Sequence, residues 1–517
     1  MKILLVQPKF PVTFWSFKYA LDFVDKKVCN PPLGLLTVAA MLPEAWEKRL
    51  IDLNIRPLSE DDLLWCDYLF ISAMDIQRES VKQIIQQAHE AHVKIVAGGP
   101  LFTGEYNNFP EVDHFILNEG EITLLQFLED LAAGHPQRLY RTDQFADIRR
   151  SPTPLWELLD FDAYDSMAVQ FSRGCPFNCE FCNVTALLGH RPRTKSAPQL
   201  IHELDKLYQS GWRRNIFIVD DNFIGNKKQL KEEILPALIN WRKDKVGCNF
   251  ITEASINLAD DDDLIAMMVA AGFINVFIGI ETPDEESLAE CHKSQNRSRT
   301  LLDDIHKLQN SGLNVMAGFI VGFDNDKPSI FDRQIQFIQE SGIIVAMVGL
   351  LQAPFGTQLY DRLQKEGRIL DEMTGDNADG TTNIITRMDP RVLSQGYKHV
   401  IQEIYSPEKY YSRIKTFLQI YRPKKSPVHM EVQEIKAFLR SILRLGILGK
   451  ERWHFWNLFF WTLLHFPTRM PLAITLTIYG YHFGRIAEKT LRTIPIRSAS
   501  QRALDPKAVS SVAIQAD

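Results

Sequence analysis

The chain has 517 residues, of which 45% are hydrophobic and 24% charged, and it carries a formal charge of −6. At about 150 residues per domain this length suggests roughly three domains, and the composition excludes a disordered, collagenous or low-complexity protein. A mildly acidic balance also argues against wrapping nucleic acid by bulk charge.

Met1-Lys2 runs directly into Ile3-Leu4-Leu5-Val6, which is too short for a signal core and predicts a first strand. The seven cysteines are therefore expected to be reduced, in a cytoplasmic chain. Residues 3–6, 49–53, 68–72, 94–97 and 114–117 predict strands, with helices from Pro31-Pro32-Leu33-Gly34 through Met41 and over 80–91 and 122–133. Strands alternating with helices make residues 1–134 a Rossmann-like parallel sheet. Ligands of such sheets lie beyond the carboxyl ends of the strands. Those ends carry Gln7-Pro8, Ser72-Ala73-Met74, Gly98-Gly99-Pro100 and Asn118-Glu119-Gly120-Glu121. Ordinary turns would use the same glycines, so these segments alone do not demand a ligand.

Residues 135–167 read as a linker, packed down by Trp156, Phe161 and Tyr164. Six strand–helix units follow over 168–366. Strands are expected at 168–172, 215–220, 249–254, 275–280, 314–320 and 344–350, and helices at 198–210, 227–241, 261–271, 301–311, 329–341 and 357–366. Gly211, Gly272, Gly312 and Gly342 are placed to end helices as left-handed caps. Six such units fit a partial (βα)6 TIM-like barrel, so the whole chain is an α/β protein. Residues 367–497 read as a mainly helical region and 498–517 as a disordered tail.

The strongest chemical signal is Cys175-Pro176-Phe177-Asn178-Cys179-Glu180-Phe181-Cys182, directly after the first barrel strand. Three thiolates at this spacing can hold three irons of a cubane cluster and leave the fourth open. Zinc is the alternative, with His190 as a fourth ligand, but structural zinc favours four closed ligands in paired C-x2-C steps. The other strand ends are polar. They carry Asp220 and Asp221; Glu253 and Ser255; Gly279 and Glu281; and Gly318 and Gly322. Any one of these acids could equally be a helix cap or a surface carboxylate.

The cysteine run, with Phe181 as its aromatic residue, resembles the signature of the radical S-adenosylmethionine superfamily. That resemblance implies a 4Fe–4S cluster on Cys175, Cys179 and Cys182, whose open iron binds S-adenosylmethionine and reduces it to a 5′-deoxyadenosyl radical. It makes Phe181, Asp220, Asp221, Glu253, Ser255, Gly279, Glu281, Gly318 and Gly322 the cosubstrate site. A Rossmann-like sheet before such a barrel resembles the cobalamin-binding subfamily. Gly98, Gly99, Pro100, Glu119, Gly120 and Glu121 then stand for the cobalamin site. The family's usual last segment has Gly where Asn118 stands. The Asp-x-His-x-x-Gly motif that would supply a lower histidine ligand is absent, so cobalamin is expected base-off.

Asp220 to Asn226, Gly279 to Pro283 and the helical C-terminus resemble the lineage containing hopanoid C-2 methylases. The chain has Cys182-Asn183-Val184-Thr185 where those enzymes carry a different sequence, so a hopanoid is one candidate substrate among others. The implied function is methylation of an unactivated carbon in a lipid-like or other small apolar molecule, with a flavodoxin- or ferredoxin-type electron donor. Radical chemistry without methyl transfer, as in tetrapyrrole cyclases, and a non-enzymatic cobalamin sensor are the alternatives.

Residues 421–500 hold 13 Lys or Arg against 4 Asp or Glu, a local +9 that leaves −15 for the rest. They include two aromatic-rich stretches, 453–468 and 470–484, each shorter than a bilayer needs. Peripheral contact with the inner face of a membrane is one expectation, and burial against the barrel the other.

Overall fold

A computed structural model describes residues 1–370, 373–423 and 432–493. The expected tail at 498–517 lies outside the described residues.

The N-terminal sheet comprises β1 (Lys2–Gln7), β2 (Glu47–Asp52), β3 (Tyr68–Ser72), β4 (Lys94–Gly98), β5 (His114–Ile116) and β6 (Leu139–Tyr140). Its order is β2-β1-β3-β4-β5-β6, with every pairing parallel. Residues 3 to 6 are all inaccessible because helices cover both faces. Leu4 and Val6 join one core with Leu69 and Ile71, while Ile3 and Leu5 join the opposite one with Tyr68 and Phe70. This is the two-residue alternation of a strand buried on both sides. Strand order reverses between β1 and β3, which opens a crevice at their carboxyl ends. β6 falls within the segment read as a linker. Two residues are too few for a pattern, and Tyr140 is held by its hydroxyl donating to Asp130 at 2.9 Å. Trp156 and Tyr164 are buried, as expected, and Phe161 is half-buried.

The central sheet starts with β7 (Met167–Val169), and a short antiparallel pair, β8 (Ser172–Arg173) and β9 (Arg193–Thr194), follows. Then come β10 (Ile216–Ile218), β11 (Phe250–Glu253), β12 (Phe273–Glu281), β13 (Asn314–Val321) and β14 (Ala346–Leu350). β7 and β10 to β14 form six parallel strands in chain order, with no pairing between the two ends. The strand expected over 168–172 is therefore split, because Ser172 and Arg173 leave the sheet to pair with β9. On β12, Val276, Ile278 and Ile280 are fully buried under the helices. Phe277 and Gly279 point the other way, in register with Met316 and Gly318 of β13, and Gly318 is in register with Met347 of β14. These residues line the lumen. Gly211, Gly272, Gly312 and Gly342 all have positive φ, as helix caps require.

The C-terminal helices are Pro390–Ile404, Pro407–Ile420, Val432–Ser441, Arg452–His465 and Met470–Thr493. The last one closes on the start of the chain. Phe483 stacks on Phe14 with ring centres 4.4 Å apart, His482 Nε2 lies 2.9 Å from the Phe14 carbonyl, and Lys489 Nζ donates to the Val12 carbonyl at 2.8 Å. Burial against the rest of the protein holds for part of the aromatic stretch: Phe455 is buried, Trp456 and Trp461 are half-buried, and Trp453 is exposed.

Gly396 sits inside helix Pro390–Ile404 against the buried ring of Phe331, which occupies the space a Cβ would need. Gly396→Ala is ordinarily a helix-favouring change, worth up to about 1 kcal/mol. Here overpacking by about 1–3 kcal/mol is expected to outweigh it and lower the thermal unfolding midpoint.

Candidate active site

The cysteine loop leaves β8 through Gly174, whose φ of +94° and lack of a Cβ allow it to sit against the carbonyls of Gly189 and Arg191. The Cys175 amide donates to the Gly189 carbonyl at 3.2 Å, and the Glu180 amide to the Cys291 carbonyl at 3.0 Å. Arg362 clamps the Glu180 carboxylate, with Nη2 to Oε2 at 3.1 Å. Cys175, Cys179 and Cys182 are all half-exposed free thiols. Burial pushes the Cys175 thiol up and that of Cys182 up to about 12, so metal must displace protons from them. Side-chain amides reach two of the sulfurs: Asn222 Nδ2 is 3.8 Å from Cys175 Sγ and Gln295 Nε2 is 3.6 Å from Cys179 Sγ. Among the described residues no three His, Cys, Asp or Glu side chains converge on a single metal position. A cluster with one iron per thiolate does not require that convergence; this loop holds the three thiols, and amides from two other strand ends reach two of the sulfurs.

Phe181 packs towards Phe323, and the Lys293 ammonium stands 5.9 Å from the Phe181 ring centre. Lys293 pairs with Glu281 at 2.6 Å. Gly279 leaves the space these two side chains occupy, and Glu281 itself is held at φ +63°, a conformation costly for a residue with a Cβ. Asn296 Nδ2 donates to the carbonyls of Gly279 and Ile280, both at 3.0 Å, and so fixes that strand end. Gly318 exposes the rings and sulfurs beside it: a Cβ there would lie 3.1 Å from Phe277 Cζ and 3.4 Å from Met347 Cε. Trp15 packs against Phe277, ring centres 5.3 Å apart, so the lumen beside these strand ends is apolar.

Two carboxylates at the strand ends, Asp221 and Glu253, pair with no cation among the described residues. Burial pushes Glu253 up to about 8, and the neighbouring charges of Asp221 and Asp220 add to this. Asp221, exposed at its strand end, is also raised by desolvation of its carboxyl. Uncompensated acids beside an apolar lumen suit a cationic ligand group. Ser255 lies next to them, bonded to Asn257 Oδ1 at 2.6 Å and sharing Asn222 Oδ1 at 3.3 Å. Asn222 therefore ties the third strand end to Cys175.

The structure gives Asp220 a different task from ligand binding. It is inaccessible, and its two oxygens accept from the Phe171 amide at 2.8 Å and the Ser172 hydroxyl at 2.6 Å. This bond pattern turns the chain out of β7 towards the cysteine loop. Gly322 is likewise committed to a turn, its amide donating to Asp326 at 2.7 Å.

In the N-terminal sheet Gly99 has φ +91°, and a Cβ there would lie 2.7 Å from Ser72 Oγ. Gly98-Gly99-Pro100 thus lets the loops after β3 and β4 abut at the crevice edge. Asn118 has φ +63°, a conformation that glycine adopts freely and that Asn is among the few side chains to tolerate. Gly120 opens helix Gly120–Ala132. Glu119 and Glu121 are corrected more sharply, because both carboxylates are taken by the barrel. Arg193 binds Glu119 at 2.6 and 2.8 Å, and Arg173 binds Glu121 at 2.8 and 3.0 Å. Arg173 holds the Glu121 carboxyl down at about 2 although burial works the other way. These ion pairs join the β8–β9 ribbon to the end of β5 and bring the two sheets' carboxyl ends together.

The N-terminal sheet domain contains four histidines, His89, His92, His114 and His135. His89 ends the helix before β4, His92 lies in the following turn, His114 begins β5 and His135 precedes β6. All four are at the amino edge, away from the crevice. Lys293, Gln295, Asn296, Arg173, Arg193 and Trp15 had not been singled out from the sequence. They come from loops and edge strands whose spacing from the motifs carries no periodic signal.

Comparison with known proteins matches residues 25–128 to the B12 binding domain, residues 169–338 to the radical SAM superfamily and residues 357–495 to a domain of unknown function, DUF4070. An uncharacterized methyltransferase of Synechocystis sp. is 42% identical over 94% of this chain and 92% of its own. The hopanoid C-2 methylase of Rhodopseudomonas palustris is 33% identical over 88% of each chain. The chain belongs to the cobalamin-binding radical S-adenosylmethionine family. It is an enzyme of the methyltransferase class of that family, and its cofactors are a 4Fe–4S cluster, S-adenosylmethionine and cobalamin. The fold agrees. The cobalamin-dependent radical enzyme OxsB, solved with aqua-cobalamin and S-adenosylmethionine, superposes with a TM-score of 0.59 at 14% identity, covering 95% of this chain and 80% of its own. The methyltransferase TsrM of Kitasatospora setae, solved with cobalamin and a [4Fe-4S] cluster, gives 0.60 at 13% identity, covering 95% and 99%.

Two titrations follow from the site. Glu253 has a raised folded pKa, so its contribution is intact below about 4.5, the unfolded value, and stability falls as pH rises towards 8. In protein prepared without cosubstrate, Glu253→Gln is expected to match wild type at pH 4 and exceed it at pH 8, by roughly 1–3 kcal/mol in urea unfolding. Glu121 has the opposite sign: its stabilisation is present above about 4.5 and is lost as pH falls towards 2. Glu121→Gln is expected to weaken the protein at pH 7 and to flatten that acid limb.

Proposed function

We propose that the protein methylates an unactivated carbon of a lipid-like or other apolar substrate, a hopanoid being one candidate. The observation that carries this reading is the apolar lumen of Phe277, Met316, Met347 and Trp15 beside the polar strand ends. The 33% identity to a hopanoid C-2 methylase over 88% of both chains supports the candidate substrate. The bound cofactors supply a carbon-centred radical and a methyl group.

The chain's own residues do the positioning. Cys175, Cys179 and Cys182 hold the cluster, and Asn222 and Gln295 orient two of the thiolates. Asp221 and Glu253 receive the cosubstrate's ammonium, while Gly279 and Gly318 admit it closely. Trp15 and Phe277 keep water from the reacting carbon. Gly98-Gly99-Pro100 would hold cobalamin at the crevice, and the four histidines of this domain, all at the opposite edge, would be out of its reach. A flavodoxin- or ferredoxin-type protein delivers electrons. The enzyme works in the cytoplasm and meets its substrate at a membrane surface.

Anaerobically reconstituted protein is expected to form 5′-deoxyadenosine and a product heavier by one methylene unit. Cys175→Ala, Cys179→Ala or Cys182→Ala is expected to abolish both, while Cys248→Ala and Cys291→Ala retain iron. Loss of iron from either of the latter would overturn the three-cysteine assignment, and a product without added mass would overturn methyl transfer. Lipid extracts of a deletion strain and its parent would identify the substrate.

A further inference from the structure

We infer that helices Val432–Ser441 and Arg452–His465 form a docking surface for an anionic lipid bilayer. The first helix continues through the more widely wound segment Ile442–Ile447, and the chain then turns at 448–451 so that the two helices pack as a hairpin. Its inner side is filled: Leu445 and Phe455 are buried, Phe438 stacks on Phe459, and the Trp456 indole donates to the Gly446 carbonyl at 2.9 Å. Its outer side is not. Of 21 large hydrophobic residues exposed among the described residues, nine lie between 435 and 464. Isolated exposed apolar residues are ordinary, but a concentration of this kind marks an interaction surface.

The pattern is helical. Leu439, Leu443 and Ile447 recur every four residues on the first helix and its extension, and Trp453, Phe460 and Leu464 share one face of the second. Trp453 is 75% and Leu464 79% exposed. Trp456, hydrogen-bonded to the first helix and 5.8 Å from Phe460 on the second, bridges the two rows.

Charge identifies the occupant. Lys436 and Arg444 each follow the apolar row by one position and form a cationic row beside it, Lys450 lies in the turn, and Arg452 opens the second helix. The Lys450 side chain is 92% exposed, with the half-exposed Glu488 carboxylate of the last helix 3.8 Å away. Arg440, in the same row, is bound to Asp25 at 2.7 Å and is left out of the count. The acids of the hairpin are Glu434 and Glu451, and burial raises the pKa of Glu451. An apolar stripe edged by cations fits the boundary between acyl chains and anionic headgroups. A second copy fits worse, because a two-fold interface would set this cationic rim against itself. No helix among the described residues is long and apolar enough to cross a membrane, so the hairpin would lie in the interface plane.

The same hairpin touches the route to the lumen. Arg440 donates to the Phe23 carbonyl at 3.0 Å and Arg444 lies 5.0 Å over the Phe23 ring, on the N-terminal segment whose Trp15 covers Phe277. The purpose given to the docking rests on the apolar substrate proposed above; the docking itself does not.

The test is flotation of the full-length reconstituted enzyme with vesicles of phosphatidylcholine and phosphatidylglycerol, and with phosphatidylcholine alone. Binding is expected only to the mixed vesicles, weakened by high salt. Lys450→Ala with Arg452→Ala is expected to weaken it about fivefold per cation. Leu443→Ser with Leu464→Ser is expected to abolish it; both sites are exposed, so folding survives, as circular dichroism would verify. Trp453 fluorescence is expected to shift to the blue on binding, a shift that Trp453→Phe removes. The inference is overturned by absence of flotation at low salt, by equal binding to neutral vesicles, by binding that survives the serine pair, or by a dimer that the serine pair dissociates. An enzyme that floats but adds no methyl group would refute the proposed function and leave the docking surface standing.

Discussion

Two buried ion pairs, Arg193 with Glu119 and Arg173 with Glu121, set the geometry on which the other sites depend. Parallel α/β sheets offer their ligand sites only at carboxyl edges. A chain with two such sheets can bring two bound groups together only if those edges face each other. The β8–β9 ribbon does this by carrying both arginines out of the barrel and into the end of β5. The arginines stay charged inside protein because each is met by both oxygens of one carboxylate. The same ribbon emits the cysteine loop, so the interface and the cluster site share one scaffold.

The barrel mouth combines groups that would be unfavourable alone. Asp221 and Glu253 lie close together with no cation among the described residues, Glu281 is held at positive φ, and Lys293 is half-buried beside thiols. Each costs stability in isolation. Their clustering beside apolar Phe277 and Met347 makes a region polar on one side and dry on the other. That division suits chemistry in which a cationic cosubstrate lies against an apolar substrate and water is excluded.

The C-terminal region is structurally continuous with the start of the chain. Helix Met470–Thr493 receives Phe14 and Phe17 as though they were its own core residues. Trp15, between them, reaches the lumen. The helical region therefore positions a wall of the lumen, while its outer hairpin leaves an apolar face to solvent.

Much of this was legible in the sequence for local reasons. Continuous apolar runs identify strands buried on both faces, helical spacing and glycine caps delimit the helices, and three cysteines within eight residues specify their ligand group with no partner from elsewhere. The roles of Asp220, Glu119 and Glu121 were not legible. A carboxylate at a strand end looks the same in sequence whether it faces a ligand, a backbone amide or an arginine from another domain. Asp220 became a staple because Phe171 and Ser172 turn back onto it, and the two glutamates became a clasp because Arg173 and Arg193 arrive from a ribbon two residues wide. Lys293 and Trp15 entered the site through irregular loops, where no repeat of 2 or 3.6 residues records direction. The sequence by itself determined the elements and the spacing of the cysteine motif, because those depend on neighbours along the chain. Tertiary structure decided which polar groups remain free for ligands, because that depends on which distant side chains reach them first.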